Sequence, residues 1–158
     1  MSDNDKMLSG KTALVSGAAQ GLGRALAERL GQAGADVALL DLQAEAVAAA
    51  GSEIAASCGV RTIGLAADVT DDEQVRGAFD KALEEFDKLD IVVSNAGIVI
   101  SGEITEFEAA KWRKVIEVNL VGYMMVAKYA AKAMIPRGEG VIVQINSKSG
   151  KTRANSGL

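Results

Sequence analysis

Five short runs of apolar, largely β-branched residues, separated by longer stretches rich in Ala, Leu, Glu and Lys, constrain this 158-residue chain more than any other feature. A run of four to six such residues fits a strand buried on both faces, and the longer stretches carry the spacing of helices. The alternation predicts strands at Thr12–Ser16, Asp36–Asp41, Arg61–Ala66, Ile91–Ser94 and Val141–Ile145. It predicts helices over Leu22–Ala33, Gln43–Cys58, Asp71–Phe86 and one long segment from Ala109 to Met134. Gly34 is expected to close the first helix in the left-handed conformation, and Pro136, Gly138 and Gly140 to end the last. Strands joined by helical crossovers run parallel, because an antiparallel return needs only a short turn. The expected fold is therefore α/β, a doubly wound parallel sheet of about five strands in one domain spanning residues 1–158.

Ligands of such sheets bind outside the carboxyl ends of the strands, where the winding reverses. The first predicted strand runs into Ser16-Gly17-Ala18-Ala19-Gln20-Gly21-Leu22-Gly23-Arg24 and then directly into an amphipathic helix. This is the context of a Rossmann-type dinucleotide turn. Gly17 would permit a tight exit from the strand, Gly21 a close approach to a diphosphate, and Gly23 close packing of helix on sheet. Gln20 and Leu22, between these glycines, complete the candidate contacts at a helix N-terminus whose free amides favour phosphate. A loop that uses its glycines only to turn is the competing reading. Asp41, at the end of the second strand, is placed to accept hydrogen bonds from ribose hydroxyls and to repel a 2′-phosphate, which predicts NAD rather than NADP. Capping of the next helix is its plainer role. Gly10-Lys11-Thr12 and Gly150-Lys151-Thr152 look like ends of a phosphate-binding P-loop, but Asp5 and Ile145 stand where its earlier glycine belongs.

Composition removes other chemistries. Histidine is absent and Cys58 is the only cysteine, so a Ser-His-Asp triad, a Cys-His pair, an internal disulfide and a thiolate metal cluster are excluded. No metal site is expected, and Cys58 reads as core filler. A net charge of −4 gives no basic face for nucleic acid. No apolar run approaches the roughly 20 residues of a membrane span, and Met1–Leu8 does not resemble a signal peptide, so a cytoplasmic location is expected.

Together these features resemble the short-chain dehydrogenase/reductase family, in order from Lys11 to Gly150. The glycine turn has the family's spacing, with Ser16 where Thr is more usual. Ala67-Asp68-Val69 is similar to the family's adenine contact, which implies that Asp68 faces the amino group and Val69 packs beside the ring. Asn95-Ala96-Gly97 resembles the family's Asn-Asn-Ala-Gly, with Ser94 in place of the first Asn. Asn119, within Glu117-Val118-Asn119-Leu120, sits inside the long predicted helix, where an amide competes with backbone hydrogen bonds. The resemblance implies that it distorts the helix and frees a carbonyl to hold a water of a proton relay. Ile145-Asn146-Ser147-Lys148-Ser149-Gly150 looks like the catalytic-serine segment, with Ser147 holding the substrate oxygen and Ser149 as a substitute. The string Gln144–Lys151, with Asn119–Tyr123 upstream, resembles sorbitol-6-phosphate dehydrogenases within the family. It implies a polyol or sugar-phosphate substrate, with Lys148, Lys151 and Arg153 as phosphate ligands.

The family's Tyr-x-x-x-Lys pair follows the serine on the next helix, and the sequence reaches Leu158 without it. A tyrosine that ionises near ~10 unaided is tuned there by the Lys and the cofactor to exchange protons at neutral pH. Tyr123 and Tyr129 lie upstream and cannot replace it. The expectation is a truncated, inactive portion of an NAD(H)-dependent oxidoreductase acting on an alcohol or ketone. Its sheet is incomplete, with an apolar edge at the fifth strand that favours association. The full-length form is expected to be a homo-oligomer. A non-catalytic dinucleotide-binding module of the same fold is the alternative, and a pure interaction domain without NAD binding is a third.

Overall fold

The computed structural model describes residues 6–146. The chain runs β1 (Thr12–Ser16), α1 (Gly21–Gln32), β2 (Asp36–Asp41), α2 (Ala44–Cys58), β3 (Thr62–Ala66), α3 (Asp72–Phe86) and β4 (Ile91–Ser94). After a long connection come α4 (Ala109–Ile116), a π-helical segment Glu117–Gly122, α5 (Tyr123–Met134), a 3₁₀ turn and β5 (Val141–Gln144).

All strands pair in parallel in the order β3-β2-β1-β4-β5. The chain lays down β1, β2 and β3 in one direction, then crosses back to place β4 on the other side of β1. The reversal therefore falls between β1 and β4, which puts a crevice at their carboxyl ends. Val15 is the pivot of the register, opposite Leu39 on one side and Val93 on the other.

Strand side chains alternate between two apolar layers, one on each face. Leu14, Leu40, Leu65 and Val92 pack with Phe79, Phe86, Val126 and Tyr129 from α3 and α5. Val15, Val37, Leu39 and Val93 pack with Ala27, Val47 and Ile54 from α1 and α2. Burial on both faces explains why β1 and β2 read as continuous apolar runs. Asp71 caps α3 through its Oδ1, which accepts from the amides of Glu73 and Gln74, both at 3.0 Å. Gly34, at φ +94, ends the turn after α1 as expected, with Ala35 N–H returning to Leu30 O at 3.1 Å.

The differences from the sequence reading are local. β3 begins at Thr62 rather than Arg61, because Arg61 is drawn outward to the Asp36 carboxylate at the start of β2. β5 ends one residue early, at Gln144. The expected long helix is instead three pieces, since the π segment interrupts α-type hydrogen bonding between α4 and α5. Cys58 is half-buried beside Gly31 at the margin of the second layer and does not fill the core. No helix among the described residues is long and apolar enough to cross a membrane.

At the amino ends of the strands, one buried carboxylate ties three segments together. Asp90 accepts from the Thr12 amide (2.9 Å) and from Arg137 Nη2 (2.7 Å), and lies 3.2 Å from Lys88 Nζ. Desolvation favours its neutral form, but Arg137, the Thr12 amide and Lys88 together outweigh it and hold the carboxyl at about 2, against an ordinary 3.8. The folded state thus keeps Asp90 ionised where the unfolded chain takes up a proton, so its contribution is complete above about pH 4 and fades as pH falls through about 2. Asp90→Asn should lower unfolding free energy by ~2 kcal/mol at neutral pH. Urea titrations at a series of pH values should show the gap between the two proteins closing between about pH 4 and about pH 2.

Candidate dinucleotide site

The crevice at the reversal point is a cavity of about 570 Å³, walled by the turns that follow β1, β2, β3 and β4 and by the helix carrying Lys114 and Val118. Two of these turns are stitched to each other. Ser16, wholly buried at the end of β1, offers its Oγ to the amides of Asn95 (3.0 Å) and Ala96 (3.1 Å) after β4. Asn95 answers with its Nδ2, which donates to Ser16 O (3.1 Å) and Gly17 O (3.2 Å). The glycine turn and the Asn95-Ala96-Gly97 turn therefore hold one another in shape.

Gly23 lies inside this stitch. A Cβ there would come 2.0 Å from Gly17 O and 2.5 Å from Asn95 Nδ2, so any side chain would push α1 off the sheet. Gly21 is the opposite case: at φ +57 it begins α1 with nothing within 4 Å of where a Cβ would stand. The first turn of α1 has no side-chain cap from Gln20 and no acidic residue. Its amides are thus unsatisfied by the protein's own side chains, beside open space, with the positive end of the helix dipole behind them. That is the donor set a diphosphate requires.

Asp41 reaches back from β2 to the same turn. Its Oδ2 accepts from the Ala19 amide at 3.0 Å, and its Oδ1 from the Gln43 amide at 3.1 Å, just ahead of α2. Asp41 thus braces the glycine turn and the approach to α2, but it does not cap that helix, whose N-cap is Gln43 without a side-chain hydrogen bond. After β3, Asp68 Oδ1 accepts from the amide (2.9 Å) and the hydroxyl (2.7 Å) of Thr70, and these bonds hold the carboxyl below its usual range. Val69 is buried against Gly122, where a Cβ would meet Val69 Cγ2 at 2.7 Å. The last residue of the π segment thereby lets the helix close on this end of the cavity.

Asn119, in the middle of the π segment, grips the chain after β4 from both sides. Its Oδ1 accepts from the Ile98 amide at 2.8 Å and its Nδ2 donates to Ile98 O at 2.9 Å. Ile98 itself lines the cavity, so the amide fixes the wall rather than forming it.

Of the residues expected from sequence, Gly17, Gln20, Leu22, Gly23, Asp41, Asp68, Val69, Asn95, Ala96 and Gly97 all border the cavity. Gly21 stands between two of them in the turn, and Asn119 sits behind Ile98 and Gly97. Ser147, Ser149, Lys148, Lys151 and Arg153 lie outside the described residues. The sequence reading missed Ser16 as a brace, and Leu42, Gln43, Lys114 and Val118 as lining residues. Lys114 and Val118 are four apart on one helix face, a spacing visible upstream of Asn119 once that residue is placed near the crevice.

Comparison with known proteins agrees with this geometry. The family model for short chain dehydrogenase matches residues 11–157. The chain is 35% identical over 145 residues to 3-oxoacyl-(acyl-carrier-protein) reductase FabG of Aquifex aeolicus, covering 92% of this chain and 58% of that protein. It is 35% identical over 147 residues to D-threitol dehydrogenase of Mycolicibacterium smegmatis, covering 93% and 56%. A crystal structure of a short-chain type dehydrogenase/reductase from Mycobacterium marinum superposes with a TM-score of 0.88 at 35% identity, over 92% of this chain and 57% of that one. The chain thus spans little more than half the length of these relatives. A match over nearly every described residue, on a sheet whose winding reverses at the glycine turn, shows that this chain belongs to the short-chain dehydrogenase family.

Proposed function

We propose that the chain binds NAD(H) across this crevice, and that the full-length protein is an NAD(H)-dependent oxidoreductase acting on an alcohol or its carbonyl counterpart. The observation that carries the reading is the uncapped first turn of α1, free of acidic side chains and beside open space. Its amides receive the diphosphate. Asp41 keeps acceptor capacity on both oxygens beyond the Ala19 and Gln43 amides, so it can take ribose hydroxyls while repelling a 2′-phosphate. Asp68 accepts from the adenine amino group, and Val69 with Val118 flanks the ring.

When bound, the nicotinamide gives or receives the hydride. The chain's own residues do the positioning. Asn119 fixes Ile98 on the wall, and the π segment, which interrupts α-type hydrogen bonding, is proposed to free a backbone carbonyl to hold a water for proton transfer. Ser147 is proposed to hold the substrate oxygen and stabilise charge on it. The Gln144–Lys151 string supports a polyol or sugar phosphate as the substrate. The full-length protein is proposed to be a homo-oligomer, a reading supported by the exposed side chains of Trp112, Ile116, Leu120 and Met124 at steps of four along α4, the π segment and α5.

Calorimetric titration should show NAD(H) binding at least about tenfold more tightly than NADP(H), the cost of setting a phosphate against a carboxylate. Asp41→Asn should narrow that gap, and an equal affinity for both in the unsubstituted chain would refute the sugar assignment. In the full-length protein, Asn119→Leu should lower kcat by at least about tenfold while leaving the Kd for NAD within about twofold. Steady-state kinetics beside binding titrations separate the two effects, and an unchanged kcat would remove the relay.

A further inference from the structure

Gly122, the last residue of the π segment, is a glycine that its own backbone does not ask for. Its φ is −57, ordinary for any residue in a helix, and glycine is among the poorest helix formers. The reason for it lies outside the helix. A Cβ there would stand 2.7 Å from Val69 Cγ2, 3.2 Å from Val69 Cβ and 3.4 Å from Val69 O. Val69 is buried and β-branched, so its side chain is stiff, and rotation about χ1 would leave the Cβ contact in place. Earlier in the same segment, Asn119 holds Ile98 through both atoms of its amide, at 2.8 and 2.9 Å. Val69 follows β3 and Ile98 follows β4, and in the sheet these two strands are separated by β2 and β1. The π segment is therefore a strap fixed at two points, one on each side of the crevice, with its buried Val118 lining the cavity.

The two attachments do different work. The polar one, at Asn119, sets where the chain after β4 lies. The apolar one, at Gly122, sets how closely the whole segment settles on the turn after β3. A methyl group at residue 122 would be accommodated by lifting the segment, which would draw the Asn119 amide away from Ile98. We propose that Gly122 is a positioning residue: its bare backbone lets the segment seat on Val69, and that seat holds Asn119, with the carbonyl proposed for the proton relay, in place over the crevice. The inference rests on the relay reading of Asn119 and adds the residue that keeps it there.

Amide hydrogen exchange, followed by NMR in the full-length protein, reads the seat without any turnover, because the Ile98 N–H donates to Asn119. Gly122→Ala should speed exchange at Ile98 by at least about tenfold while the amides of β1 keep their protection. It should also lower kcat by at least about fivefold, with the Kd for NAD within about threefold. Val69→Ala removes the 2.7 Å contact, so in the double variant both the Ile98 protection and kcat should return to those of Val69→Ala alone. If Gly122→Ala does not fold, the double variant compared with Val69→Ala decides by the same two measurements. An Ile98 amide unmoved by Gly122→Ala would overturn the proposal, as would an unchanged kcat or losses that persist in the double variant. A full-length protein without NAD-dependent turnover would sink the relay reading instead, and the Ile98 exchange would still decide whether Gly122 seats the segment.

Discussion

The reciprocal hydrogen bonding between Ser16 and Asn95 is the interaction on which the rest of the site depends. A hydroxyl with no exposure to solvent satisfies two amides of the opposite turn, and an amide side chain satisfies two carbonyls of the first. Buried backbone groups left unpaired would cost of order 1–3 kcal/mol each, so neither turn is stable in this shape without the other. The crevice is thus one object built from segments some 80 positions apart in sequence, Ser16 bonding residues at separations of 79 and 80. Close packing at Gly23 adds a steric condition to the polar one.

The two ends of the sheet divide the work. At the carboxyl ends, amides and carboxylates are left facing open space, where the proposed dinucleotide would complete them. At the amino ends, Asp90 is enclosed by Thr12, Lys88 and Arg137 and has nothing left to offer. A saturated polar cluster clamps the strands where no chemistry is needed, and incompletely satisfied groups gather where binding is useful. That division accords with the proposed function, in which a rigid end of the sheet holds the binding end in register.

Much of this was legible in the sequence because a two-sided parallel sheet writes itself as plain apolar runs, and because only glycine fits the contacts made at residue 23. The parallel run of the strands followed from crossover rules, and the crevice from the reversal of winding, although the strand order itself came only from the structure. What escaped the sequence were relations between segments. Ser16 carries no sign that its hydroxyl faces residue 95, and Asp41 gives no hint that it braces the Ala19 and Gln43 amides instead of capping α2. The long helical pattern from 109 to 134 also hid its own interruption, because the residues of a π turn have ordinary helical propensity. Asn119 hinted at a disturbance there, but not at its partner, Ile98.

That interruption has a consequence for the phase of the helix. A π turn accommodates one residue more than an α turn within the same single turn. The surplus residue is therefore absorbed where it stands, and α5 still turns Val126, Tyr129, Ala130 and Met134 inward. Deleting one residue between 117 and 122 would let the segment close as an ordinary α turn with α5 facing much as before. The loss would fall on the wall of the crevice, because Asn119 would leave the position from which it grips Ile98 on both sides.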